Sequence, residues 1–276
     1  MCLVLFLVAA TISASMSPPC WRVALRLGGV NLMDPGRIRP GAVTRMSGLA
    51  VVFGFTVPTV ALLLGPAPLL PMIAVTRHQF IALVIGAAVV ATLGALDEKR
   101  SRAALIRLPV LLATAAGMWL SGFRIGASSG LPAWLDFSIS VMWITGTICL
   151  LCSIDRRRGL AAGVVFSAAL ANIALSLALG NQPGALFASM IAGAALIPTA
   201  FGWSIPVAGR TIPMFLGHVL ATASLATRQA ASTAGLVLAA ALALLLLARF
   251  VGNLKRPPPV DEPPIGHTPL CRRDTS

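Results

Sequence analysis

Charge is scarce in this sequence: 11% of its 276 residues are Asp, Glu, Lys or Arg, and only eight are acidic. With 57% hydrophobic residues and a mean hydropathy of +0.90, the composition lies far outside that of soluble globular domains. Ionisable groups are nearly missing from the middle of the apolar runs, which speaks against a transporter, whose pathway such groups would mark. Five cysteines, odd in number and scattered, offer no disulfide framework. Cys149 and Cys152 do form a C-x-x-C, but within an apolar run this spacing puts two small side chains on one helix face instead of making a redox or zinc turn. No internal repeat is detectable.

What the chain has instead is long apolar stretches. A helix needs about 17 to 25 apolar residues to cross a hydrocarbon core of about 30 Å. Nine runs qualify as candidates: Leu3 to Ala14, Met46 to Leu64, Gln79 to Leu96, Ala104 to Leu120, Trp134 to Ser153, Gly159 to Leu179, Gly184 to Phe201, Thr211 to Thr227 and Ala230 to Phe250. They are continuous and not alternating, so the expected fold is all-α, a polytopic membrane helix bundle and not a β-barrel. The first run is short, but no basic segment precedes it, and it is read as a retained helix and not a cleaved signal. Residues 1–251 form one transmembrane domain. Residues 252–276 form a tail with five prolines between Pro257 and Pro264, expected to be extended and disordered.

Basic residues orient the bundle. Eighteen of the 21 Lys and Arg residues fall on one side of the alternating runs; Arg77, Arg124 and Arg228 fall on the other. The positive-inside rule then puts the N-terminus outside and the C-terminus in the cytoplasm. Such loops, facing anionic headgroups, explain the formal charge of +13 without nucleic acid. Arg156, Arg157 and Arg158 read first as topology determinants, His78 and His218 as packing or interface residues, and Trp119, Trp134, Trp143 and Trp203 as interfacial anchors or packing.

Four segments on the basic side carry more than topology. Arg45-Met-Ser-Gly-Leu-Ala opens the second run. Gly94-Ala-Leu-Asp97-Glu98 ends the third, with Arg107-Leu following. Ile154-Asp155 and Gly159-Leu-Ala-Ala-Gly163 join the fifth to the sixth, and Ala208-Gly209-Arg210-Thr211 leads to Phe215-Leu216-Gly217-His218 in the eighth. In order, spacing and topology, over roughly Asp34 to Leu225, this set resembles the polyprenyl-phosphate N-acetylhexosamine-1-phosphate transferases, glycosyltransferase family 4.

The resemblance implies transfer of a sugar 1-phosphate from a UDP-amino sugar to polyprenyl phosphate in cell-envelope glycan synthesis, at the inner membrane. It implies Asp97, Glu98 and Asp155 as catalytic acids, with Asp97 and Glu98 holding Mg²⁺ if the protein is active. Arg45, Arg107 and Arg156 are implied as phosphate contacts. The physical sense is plain: carboxylates recruit a cation that neutralises charge developing on phosphate oxygens, and guanidinium groups clamp those oxygens. A homodimer or a membrane-enzyme partner is also expected.

Several positions depart from the family pattern. Cys149 and Cys152 stand where the third block has amides, Arg156 and Arg158 where it has Gly and Asp, and Arg210 where the fourth has its metal-binding Asp. Exchanging an oxygen donor for a fixed positive charge repels a cation. A degenerate member is therefore expected, and the alternative reading is a catalytically inactive relative that binds lipid phosphate or a partner. Arg210 is expected within about 4 Å of Asp97, Glu98 or Asp155, in place of the metal.

The orientation has a direct test. A membrane-impermeant thiol reagent applied to intact cells should leave Cys271 unlabelled and should label a cysteine introduced beside Arg124; labelling of Cys271 would reverse the topology.

Overall fold

The computed structural model describes residues 1–26, 48–64, 77–97, 104–125, 132–154, 160–178, 180, 182–201 and 210–225. These form eight α-helices: α1 (Cys2–Arg26), α2 (Gly48–Leu64), α3 (Arg77–Asp97), α4 (Ala104–Leu120), α5 (Ala133–Ile154), α6 (Leu160–Ala178), α7 (Gln182–Phe201) and α8 (Thr211–Leu225). Eight of the nine expected runs are thus helices, with ends shifted by at most two residues, except α1. That helix continues twelve residues beyond the expected Ala14, through Pro18 and Pro19. Serines and prolines end the apolar run there, yet the backbone stays helical, with most of residues 15–19 exposed and Cys20 buried. The run Ala230 to Phe250 and the tail 252–276 lie outside the described residues.

Four helices hold stretches long and apolar enough to cross a membrane: Cys2–Cys20, His78–Leu96, Ala133–Ile154 and Leu160–Ala178. Gly48–Leu62, Ile106–Leu120, Gly184–Ala200 and Thr211–Leu225 are shorter apolar helices. Several threonine hydroxyls of the bundle are satisfied within their own helix. Thr56, Thr59, Thr114 and Thr147 each donate to the carbonyl four residues back, at 2.6–2.8 Å.

α8 is the central element. All fifteen of its residues are buried, and it packs against α2, α3, α5, α6 and α7. Small residues on its neighbours make this close approach possible. A Cβ at Gly86 of α3 would stand 2.8 Å from His218 Nε2, and a Cβ at Gly217 of α8 would stand 3.0 Å from Ile148 Cα of α5. Around this centre, Gly193 of α7 presses on the Phe6 carbonyl of α1, and Gly54 of α2 on Ser13.

The α4–α5 hairpin is closed by polar chemistry. α4 ends in a Schellman turn: Gly122 has φ +99°, its N–H donates to Trp119 O at 3.0 Å, and the Phe123 N–H donates to Met118 O at 3.1 Å. Asp136, buried in the first turn of α5, accepts from Trp119 Nε1 at 2.9 Å and from Ser140 Oγ at 3.4 Å. Ser140 Oγ in turn accepts from the Ile125 N–H at 3.1 Å. The Arg124 guanidinium lies 4.3 Å from the centre of the Trp119 ring.

Removing one partner of this cluster leaves buried donors unmatched, at about 1 to 3 kcal/mol. Asp136→Ala should therefore lower the thermal midpoint in detergent clearly, Asp136→Asn less, and Ser138→Ala on the exposed face should change stability by less than about 0.5 kcal/mol.

Candidate active site

The end of the bundle that gathers the sequence blocks is fixed by helix direction. α3 runs antiparallel to α8, with Gly94 against Thr211 and Gly86 against His218. α5 does the same, with Ile148 against Gly217 and Trp143 Nε1 donating to Ser224 Oγ at 3.0 Å. α2 runs parallel to α8, with Gly48 against Thr211 and the Phe55 and Phe215 rings 5.9 Å apart, edge to face. The N-termini of α2 and α8 and the C-termini of α3 and α5 therefore share one end. α4 starts at that end too, because its far end meets the beginning of α3, where Gln79 adjoins Gly122.

Thr211 is the meeting point. A Cβ at Gly48 would lie 2.8 Å from Thr211 Cβ, and one at Gly94 would lie 2.7 Å from Thr211 Cα. Two glycines from blocks one and two thus let the backbones of α2 and α3 close on the first residue of α8. Asp97, the last residue of α3, follows Gly94 by less than one turn, about 4.5 Å along the axis. Arg210, immediately before Thr211, is exposed and engages other groups, and its carbonyl accepts from the Met214 N–H at 3.2 Å. Arg107, half-buried in the first turn of α4, also has partners. By the α5–α8 register, Ile154 comes level with Thr211, and Asp155 is the next residue in sequence.

Of the expected site residues, the structure brings Asp97, Arg107 and Arg210 to one end. Glu98, Asp155, Arg45 and Arg156 lie outside the described residues, and so does the expected pairing of Arg210 with the acids. His218 is fully buried at mid-helix, about 10 Å from Thr211 along the axis, and its two nitrogens have no hydrogen-bond partner among the described residues. His78, read as an outer-loop residue, is in the first turn of α3.

The helix ends that meet here set opposing fields. The N-termini of α2, α4 and α8 each present unsatisfied N–H groups and about half a positive charge. Arg107 and Arg210 add two full charges. The Thr211 hydroxyl, buried and without a partner among the described residues, supplies a donor at the same place. Opposing this, α3 and α5 end here, and a helix C-terminus disfavours a carboxylate such as Asp97 by about 0.3 to 1 kcal/mol. Of the acids expected to hold Mg²⁺, Glu98 lies outside the described residues. The described residues contain no group of three His, Cys, Asp or Glu side chains, and residue 210, which precedes the orphaned Thr211 hydroxyl, is a guanidinium.

Sequence reasoning missed the buried cluster of Asp136, Trp119 and Arg124, at the opposite end of the hairpin. The available signal was an aspartate four residues after Pro132, where an apolar run begins.

Because the site depends on backbone contact, bulk at Gly94 should disrupt it. Gly94→Val would overpack Thr211 and cost about 1 to 3 kcal/mol, read as a lower unfolding midpoint in detergent. Gly163→Ala, whose Cβ would meet Thr199 Cγ2 at an ordinary 3.8 Å, should be silent.

No protein-family model matches the chain. It is 25% identical, over 233 residues and 80% of its length, to the probable undecaprenyl-phosphate N-acetylglucosaminyl 1-phosphate transferase of Bacillus subtilis (strain 168). The chain spans 62% of that protein's length, just under two thirds. The apolar helices and this similarity together describe a multi-pass membrane protein related in sequence to a phosphoglycosyl transferase.

Proposed function

We propose that the protein transfers a sugar 1-phosphate from a UDP-amino sugar to polyprenyl phosphate at the bundle end built on Thr211. The observation that carries this reading is the convergence on one residue of three sequence blocks far apart in the chain, through Gly48, Gly94 and Thr211. Arg107, with Arg45 and Arg156, takes the phosphate groups, and Asp97, Glu98 and Asp155 are the acids of the reaction. The same reading includes a ninth span, a cytoplasmic basic face, an inner-membrane location and a homodimer or a membrane-enzyme partner.

Mg²⁺ is the cofactor that the active reading requires, supplying charge neutralisation at the phosphates, and Arg210 counts against a complete ligand set. That residue favours a second reading. A guanidinium at the fourth-block position can hold the acids in place of a cation, which yields an inactive relative that still binds lipid phosphate.

Membranes containing this protein alone, given a UDP-amino sugar, polyprenyl phosphate and Mg²⁺, test both. Lipid-linked sugar phosphate and UMP should appear at a rate orders of magnitude below that of a relative with an intact fourth block, and Asp97→Asn should abolish them. Photocrosslinking to polyprenyl phosphate without any product would favour the binding relative. Neither product nor crosslink would exclude both readings.

A further inference from the structure

Cys149 and Cys152 occupy the last two turns of α5, both half-buried against the apolar core, and neither is in a disulfide. Residues three apart on a helix share a face, with Cβ atoms about 5 to 6 Å apart. The same helix borders an open cavity of about 440 Å³, lined by the exposed Leu112 of α4 and Phe137 and Met142 of α5, with Val141, Gly146 and Cys149 beside them. Thr145 also lines it. Its hydroxyl is buried without a partner among the described residues, whereas Thr147 bonds the carbonyl four residues back. A dithiol therefore adjoins a mostly apolar cavity that holds one spare hydroxyl.

The ligand that suits two sulfurs at this spacing can be narrowed. Structural zinc takes four ligands, so these two thiols would need two more, and Asp155, three residues after Cys152, lies outside the described residues. An intrahelical disulfide would need the Cβ atoms at about 3.5 to 4.5 Å, closer than the helix places them. A soft centre that takes two thiolates and bridges the wider gap meets neither objection. Trivalent arsenic carrying one organic group has that valence, and its substituent needs an apolar pocket.

We propose that Cys149 and Cys152 form a dithiol site for aryl-substituted trivalent arsenicals, with the aryl group seated in the cavity between α4 and α5. With phenylarsine oxide as the probe, both thiols displace the oxide oxygen. Two As–S bonds form, the two thiol protons leave with the oxygen as one water, and arsenic stays trivalent, so no oxidant is consumed. The other two cysteines among the described residues cannot imitate this as a pair: Cys2 and Cys20 are eighteen residues apart on α1, about 27 Å along its axis.

The test treats the full-length protein in detergent with phenylarsine oxide, washes it with excess monothiol, and reads intact mass. One phenylarsenic group per chain should survive the monothiol and be removed by 1,2-ethanedithiol. C149S and C152S should each lose it, and a C2S/C20S/C271S variant should keep it; a serine variant that is not monodisperse is replaced by the alanine variant. No retention, or retention unchanged in C149S, would overturn the site. Gly146→Leu tests the seat of the aryl group, since a Cβ there meets nothing within 4 Å and the longer side chain projects into the cavity. It should weaken phenyl arsenical binding at least tenfold and leave methyl arsenical binding unchanged; equal effects on both would overturn the placement in the cavity.

Discussion

Everything in this bundle depends on how closely other helices can approach α8. A helix buried on every residue has no face for lipid or water, so its position is set wholly by contact. In an apolar solvent those contacts gain little from hydrophobic burial, and shape carries the association. Glycine supplies that shape at Gly48, Gly86 and Gly94 on the neighbours and at Gly217 on α8 itself. The packing that stabilises the fold is also what assembles the candidate site. The residue that two of these glycines grip, Thr211, begins the helix, and the chemistry-bearing residues are strung on the adjoining ends.

The two ends of the molecule are held by different means. At the Thr211 end, backbones meet directly, with Arg107 and Arg210 at the same end of the bundle. At the other end of the α4–α5 hairpin, a buried carboxylate, an indole N–H, a serine and a stacked guanidinium close the turn. A carboxylate in the first turn of α5 is favoured by the helix dipole, while Asp97 at the end of α3 is not. One acid is therefore at rest in its surroundings. The other stands at a helix end whose field opposes its charge.

Much of the architecture was legible in the sequence because in lipid the backbone must satisfy itself, and an uninterrupted apolar run leaves helix as the outcome. α4, with both expected ends correct, shows this. α1 shows the limit: the apolar run ends at Ala14, but the helix continues through Pro18 and Pro19 to Arg26. The site was legible in part. Gly48 and Gly94 lie inside segments singled out for their charged residues, yet it is the glycines that make the contact, which no spacing rule announces. Asp136 went unread because a lone acid at a run boundary resembles a loop residue until Trp119, seventeen positions earlier, is folded against it.

The notch at Gly86 also works as a key. His218 fits α3 only where a side chain is missing, and a slip of α3 by one turn would bring Ala82 or Val90 to face the imidazole instead. The helix pair thus has a single mechanical register, marked far from the bundle end that uses it. The height at which the end of α3 meets Thr211 is dictated by a histidine about 10 Å further along α8.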